Sequence, residues 1–340
     1  MTAGTNIVLP QRGRGRISKT AQAQYEDALD EFCAAIVQIR ATIDFDISAR
    51  GWCYILEPFG LLKGDFDKAQ ALITDCRKHG RLPLNIVAED GARSFLNLED
   101  LDEDDPVNCA DAAINYLSQA HHFYTPMSFW DGQEYYLEML VEKVDLKSLF
   151  AKVCAEFHVP VANARGWSDL NSRAAMMKRF ARHEAEGRRP VLLYCGDHDP
   201  MGLSISDFLR SNLADLSAAV GWKPEYLIVD RFGLNADFIE RHGLTWIVNL
   251  ETGGKKRLDS PSHPDHQKPY VQNYLTLYGA RKVEANALVV RPDAGRQLCR
   301  DAILKYVDAD APRHYEAALS VEREKVRAEI ETRLAEGIWS

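Results

Sequence analysis

The sequence predicts an α/β protein, with a helical N-terminal region followed by a mainly parallel sheet covered by helices. Two observations carry this. Short apolar runs at 135–142, 159–164, 190–195 and 225–230 alternate with amphipathic segments of helical period, the rhythm of parallel strands joined by crossover helices. A chain of 340 residues, 46% hydrophobic and 27% charged, is also long enough for two or three cores and has an ordinary globular composition.

Residues 1–18 are rich in Gly and Arg, have no apolar period and read as a mobile basic tail. Tyr25, Leu29, Phe32, Ile36, Ile39 and Ile43 then recur at spacings of four and three, one face of a helix. Ser48 is a suitable N-cap for a short helix ended by Pro58. A third helix spans about 65–79, with Gly80 as its C-terminal stop. "LPLNIVAED" (82–90) reads as a strand. Three helices and a strand make the pattern of a winged-helix module over 19–100. The acidic stretch at 101–120 lacks a periodic core signal and reads as a linker.

The second unit, 121–310, begins with the strand "YYLEMLVE" and a helix carrying Leu146, Leu149, Phe150, Val153 and Phe157. The strand 159–164, a helix over about 169–187, the strand 190–195, one helix over 202–219 and the strand 225–230 follow. A charged helix closes the chain within 311–340, its ion pairs at helical neighbour spacing on a solvated face.

A formal charge of −9 argues against nucleic-acid binding through a global positive field, though not through a local one. Basic residues cluster twice: Arg12, Arg14 and Arg16 in the tail, and Lys255, Lys256 and Arg257 in a Gly-flanked turn. Both are candidate DNA contacts, and both also fit solvated loops. Seven cysteines without CxxC spacing read as reduced thiols of a cytoplasmic protein. No apolar run approaches membrane-spanning length.

Chemistry concentrates in "GDHDPMG" (196–202). Asp197 and Asp199 follow an apolar strand directly, so both carboxylates stand at its carboxyl end, where α/β sheets build their sites. Two close carboxylates repel unless a hard cation such as Mg²⁺ lies between them. A turn with an N-cap fits the same residues. Glu142 ends the first strand of the set and would face the pair across adjacent strand ends.

This Glu and Asp-x-Asp set is the acidic constellation of a Toprim domain. "VEK" at 141–143, "ARGWSDLNSR" at 164–173 and "GDHDPMG" resemble the Toprim half of the topoisomerase VI A-subunit family, which includes meiotic double-strand-break proteins and smaller bacterial and phage relatives. The family's winged-helix domain carries an Arg-x-x-x-Tyr motif, matched here by Arg50 and Tyr54 in "SARGWCYILE". The match runs from about 48 to 306 with its elements in order. It implies that Glu142, Asp197 and Asp199 hold Mg²⁺ against a phosphate of double-stranded DNA. Tyr54 would attack the phosphodiester and become linked to the 5′ end, with Arg50 stabilising the phenolate. It implies a homodimer too, each tyrosine lying over the partner's metal site, and a separate ATPase subunit for strand passage. Cys53 departs from the aromatic residue common before that tyrosine.

Two other functions fit the same residues: a Toprim-type nuclease in which metal-activated water attacks and Tyr54 is structural, and a non-catalytic DNA-binding subunit. Among the remaining polar residues, His198 fits the filling of a tight turn better than a phosphate contact, and His121 and His122 should diverge as neighbours. His263, His266, Asp259 and Asp265 belong to a Pro-interrupted loop, and Glu284 is a candidate assistant to the metal site.

Overall fold

A computed structural model describes residues 7–12, 18–88, 105–164, 169–251 and 257–336. The first helix, α1 (Lys19–Arg40), is capped by the Ser18 hydroxyl and buries Leu29, Phe32, Cys33, Ile36 and Ile39. Helix α2 (Ala49–Leu56) begins at its expected cap, Ser48. Every residue of α2 from Gly51 to Leu56 is buried, which marks a helix enclosed on all sides. Helix α3 (Phe66–Lys78) covers it on one side, and Gly80 follows at a positive φ of 71°.

Three expectations for this half need correction. Ile7, placed in the mobile tail, is buried and donates its N–H to the Phe59 carbonyl at 2.7 Å. The segment expected as a strand at 82–90 contains a single 3-10 turn at Leu84–Ile86, and Glu89 and Asp90 lie outside the described residues. Pro83 has no N–H to give a ladder, and the Leu84 carbonyl is taken by Arg77 at 2.7 and 3.0 Å. Within the expected linker, residues 106–118 form helix α4 (Pro106–Ser118), capped by Asp105. It buries no residue, so it leaves no periodic apolar trace in the sequence.

Strand β1 (Tyr135–Val141), helix α5 (Val144–Glu156), strand β2 (Val161–Asn163), helix α6 (Leu170–Ala185) and strand β3 (Arg189–Cys195) follow in the expected alternation. Between β3 and the next strand, the single helix expected at 202–219 is three pieces: α7 (Pro200–Leu203), α8 (Ile205–Ala214) and α9 (Ser217–Val220). A continuous helix would offer the Gly202 carbonyl to the N–H four residues on. Here it accepts from Arg231 Nε at 2.8 Å, and the chain turns at Ser204. Strand β4 (Ile228–Gly233), helices α10 (Ala236–Arg241), α11 (Pro269–Tyr278) and α12 (Pro292–Leu304), and the charged helix α13 (Ala311–Glu336) complete the chain. Helix α13 is anchored as well as solvated: Ala311 and Leu319 are buried, and Tyr315 donates to the Met127 carbonyl at 3.2 Å.

The four strands form one parallel sheet in the order β2-β1-β3-β4. Six of seven residues in β1 and in β3 are buried, because helices cover both faces. Glu138 in the middle of β1 is the polar exception. It is tolerated through a two-bonded fork from Arg179 of α6, at 2.7 Å twice.

Helix α2 is docked on this sheet unit by Asp145 at the start of α5. Its carboxylate accepts from the Ser48 N–H, from the Ser48 hydroxyl at 2.6 Å and from Asn286 Nδ2 at 2.7 Å. A Cβ at Gly51 would lie 2.9 Å from Asp145 Oδ2, so glycine admits the close approach.

His183 of α6 is buried, stacks on Tyr136 at 3.7 Å and is flanked by Arg182 and Arg188, each 3.1 Å from a ring nitrogen. Burial first, then the two guanidiniums, push its imidazole from 6.5 down to about 4. The unfolded chain therefore takes up a proton between those values that the folded chain refuses. Stability present above pH 6.5 is lost as pH falls toward about 4. His183→Gln should make the fall in Tm across that interval shallower, read by circular dichroism at a series of pH values.

Candidate active site at the ends of β1 and β3

Strand β1 is central, and the chain leaves it for β2 on one side and later for β3 on the other. The crevice beyond the carboxyl ends of β1 and β3 is therefore the topological switch point, where such sheets bind ligands. Val141 pairs with Cys195, and the Glu142 N–H continues the ladder to the Cys195 carbonyl at 2.9 Å. This register sets Glu142 beside the Gly196–Asp197 turn. Glu142 Oε2 accepts from the Asp197 N–H at 2.7 Å and from the Tyr194 hydroxyl at 3.4 Å. A Cβ at Gly196 would lie 2.7 Å from Glu142 Oε2 and 2.5 Å from the Tyr194 hydroxyl, so any larger residue would displace both groups.

The turn is fixed from several sides. His198 exchanges both backbone bonds with Val283, at 2.9 and 3.1 Å. Its ring packs among Trp246, Tyr274 and Tyr278, and burial pushes the imidazole down to about 4, leaving it neutral. Asp199 caps α7, its Oδ1 accepting from the Gly202 N–H at 2.6 Å. Arg231 of β4 lies beneath, donating to the carbonyls of Asp197 (3.2 Å), Gly202 (2.8 Å) and Leu234 (2.6 Å).

Lys143 joins the two strand ends: Nζ is 2.6 Å from Glu142 Oε1 and 2.8 Å from Asp197 Oδ2. Asp197 Oδ1 accepts from the Ala285 N–H at 2.7 Å. Burial, with Glu142 adding to it and Lys143 opposing, pushes the Asp197 carboxyl up. Burial acts the same way on Glu142, but Lys143 and the Asp197 N–H outweigh it and hold Glu142 below the ordinary range. Burial also pushes Asp199 up. The donor chemistry, hard carboxylate oxygens at neighbouring strand ends, suits Mg²⁺. The arrangement is closed to it, because an ammonium lies between two of the three carboxylates and the third caps a helix. Among the described residues, no three His, Cys, Asp or Glu side chains form a group able to hold a metal as they stand.

Helix α2 reaches the same site. Arg50 and Tyr54, one turn apart, both engage Glu284, the residue before Ala285. The guanidinium lies 3.3 Å from Glu284 Oε2, and the Tyr54 hydroxyl donates to that oxygen at 2.7 Å. Tyr54 is fully buried, edge-on to Phe66 at 5.1 Å and beneath Lys63 at 4.7 Å. Burial and then Glu284 push its phenol well above the ordinary value, with Arg50 opposing. Burial would raise Glu284 too, but Tyr54, Arg50 and Lys282 outweigh it and hold the carboxyl low. Ordinary values alone make phenol-to-carboxylate proton transfer unfavourable by about 8 kcal/mol, and both shifts widen the gap. Arg50, expected to steady a phenolate, pairs with Glu284 and keeps its guanidinium carbon 5.9 Å from the centre of the Tyr54 ring.

Three contributors here carried no assigned role in the sequence: Lys143, Arg231 and Tyr194. The "VEK" and "YLIVDRFG" strings contain two of them, but nothing local announces what they touch. Of the basic candidates, Arg14, Arg16, Lys255 and Lys256 lie outside the described residues. Arg12 is exposed, and Arg257 forms a fork with Asp259 at 2.6 and 3.1 Å. Arg257 adjoins Leu258, which with Asp199, Tyr270 and Lys282 lines a cleft of about 250 Å³. His263 and His266 make local turn bonds, to the Asp265 N–H and near the Leu258 carbonyl, as expected of a loop. His121 and His122 do not diverge: their rings lie 4.0 Å apart, folded over one side of a 3-10 turn. Cys33, Cys53, Cys76, Cys154, Cys195 and Cys299 are free thiols. Among the described residues, no helix is long and apolar enough to cross a membrane. Comparison of the chain with protein-family models, curated proteins and solved structures finds no match.

Proposed function

We propose that this chain cleaves phosphodiester bonds of double-stranded DNA at the ends of β1 and β3, with water as the nucleophile and Tyr54 in a structural role. The observation that carries the site is the locked pair Glu142 and Asp197, joined at the switch point by the Asp197 N–H and a shared Lys143. The choice of DNA rests on the motif resemblance to Toprim proteins. Once Lys143 leaves the space between Glu142 and Asp197, these two and Asp199 would hold Mg²⁺, which would offset charge developing on the phosphate. Held close to the phosphate in this way, the metal would also lower the pKa of a water bound to it, so that hydroxide is available to attack. Lys282, beside Asp199 in the cleft, supplies positive charge for the phosphate. Two such centres in a homodimer would cut both strands, and hydrolysis requires no ATPase subunit.

Burial of Tyr54, and its proton held toward an acidic Glu284, favour water over the phenol. Tyr54→Phe should therefore leave the Mg²⁺-dependent cleavage rate within about threefold of wild type. Removing a bond to a charged carboxylate should cost about 1.5–3 kcal/mol of stability, so rates are compared where circular dichroism shows both proteins folded. Loss of cutting in a folded Tyr54→Phe protein would instead support attack by the tyrosine.

A further inference from the structure

The two carboxylates at the strand ends already share a cation, and the chain itself supplies it. Lys143 Nζ contacts Glu142 Oε1 at 2.6 Å and Asp197 Oδ2 at 2.8 Å. Asp197 is nearly enclosed, with 9% of its side chain exposed, whereas Lys143 keeps 27% and so has an open side from which to withdraw. Its backbone is extended (φ −113°, ψ 144°) at the start of α5, and its side chain makes no capping bond there. The ammonium therefore sits on a flexible four-carbon stem that can swing away, while the Asp197 N–H still holds Glu142 Oε2 at 2.7 Å. Arg231 differs, because it grips the turn through backbone carbonyls and would stay in place when the carboxylates change partner.

We infer that Lys143 is a built-in occupant of the metal position, holding Glu142 and Asp197 together in the metal-free protein and leaving when a phosphodiester offers it another anion. The inference rests on the reading of Glu142 and Asp197 as metal ligands. An ammonium and a divalent cation repel strongly at such separations, so metal entry requires the lysine to move. A phosphate at the crevice mouth draws the ammonium outward, and the freed carboxylates then accept the metal. DNA binding and metal binding become coupled, each tightening the other by the same factor.

The test is a Mn²⁺ titration followed by electron paramagnetic resonance, with Mn²⁺ as a visible substitute for Mg²⁺. It is made on the full chain, with and without a short duplex oligonucleotide. Lys143→Met keeps the length of the stem and removes the charge, and Lys143→Gln serves if the methionine variant folds poorly. Without DNA, the neutral variant should bind Mn²⁺ at least about tenfold more tightly than wild type. Duplex should tighten Mn²⁺ binding by wild type and change it little in the variant. Equal affinities for wild type and a folded neutral variant, or equal tightening by DNA in both, would overturn the role of Lys143 and leave the metal site standing. Absence of Mn²⁺ binding by either protein, with and without duplex, would overturn both.

Discussion

Asp197→Asn is expected to lower Mg²⁺-dependent DNA cleavage by at least about 10³-fold. The substitution is nearly isosteric, yet it fails in two ways. Both carboxylate oxygens now accept, Oδ1 from the Ala285 N–H at 2.7 Å and Oδ2 from Lys143 at 2.8 Å. An amide has one acceptor, so its NH₂ must face one of those donors. The charge that would hold a divalent cation is lost as well. The fold should survive, at a cost of about 1–3 kcal/mol for the mismatched buried group, because the turn is still held by Arg231, Val283 and the Glu142 carboxylate. Cleavage of plasmid DNA, measured beside the thermal unfolding of the same preparation, checks both parts. A folded variant that cuts like wild type would remove the site from this crevice, and loss of cutting would weigh against a purely DNA-binding subunit.

The second large effect belongs to Gly202→Ala. A Cβ there would lie 2.1 Å from the Asp197 carbonyl oxygen, a backbone atom with no rotamer to yield. The surroundings are equally fixed: Arg231 binds that carbonyl and the Gly202 carbonyl, and Asp199 holds the Gly202 N–H. Relief would need the whole 197–202 turn to shift. We expect a loss of more than about 3 kcal/mol in denaturant unfolding, with cleavage lost alongside. Gly64→Ala is the matched control, since nothing lies within 4 Å of a Cβ there, and it should change little.

These two positions show which parts of the site local pattern could reveal. Strand ends can be read from apolar runs that stop abruptly, so Glu142, Asp197 and Asp199 were visible as residues placed just beyond β1 and β3. The four-residue spacing of Arg50 and Tyr54 was visible for the same reason. Their common partner Glu284 lies about 230 residues away, and no periodicity links the two stretches. The role of Lys143 was hidden because its bridge depends on register, on Val141 meeting Cys195. Arg231 was hidden because the fourth strand, expected over 225–230, runs over 228–233 and so takes in a charged residue just beyond the apolar run. Tyr54 had a signal that points the other way from catalysis: it sits in the run Trp52–Leu56, too apolar all round for an exposed nucleophile. In the fold, α4 escaped notice because it buries nothing, and the strand expected at 82–90 failed where Pro83 and Arg77 use up the backbone groups a ladder needs. Residues 89–100 of the expected winged-helix module lie outside the described residues.

The most direct test of the central proposal uses supercoiled plasmid, Mg²⁺ and the wild-type chain, with products run on a denaturing gel before and after protease treatment. The account predicts Mg²⁺-dependent nicked and linear products whose mobility is the same with and without protease, because water leaves free ends. Ends that enter the gel only after protease digestion would contradict it, because the protein would then be covalently joined to the DNA through a residue such as Tyr54.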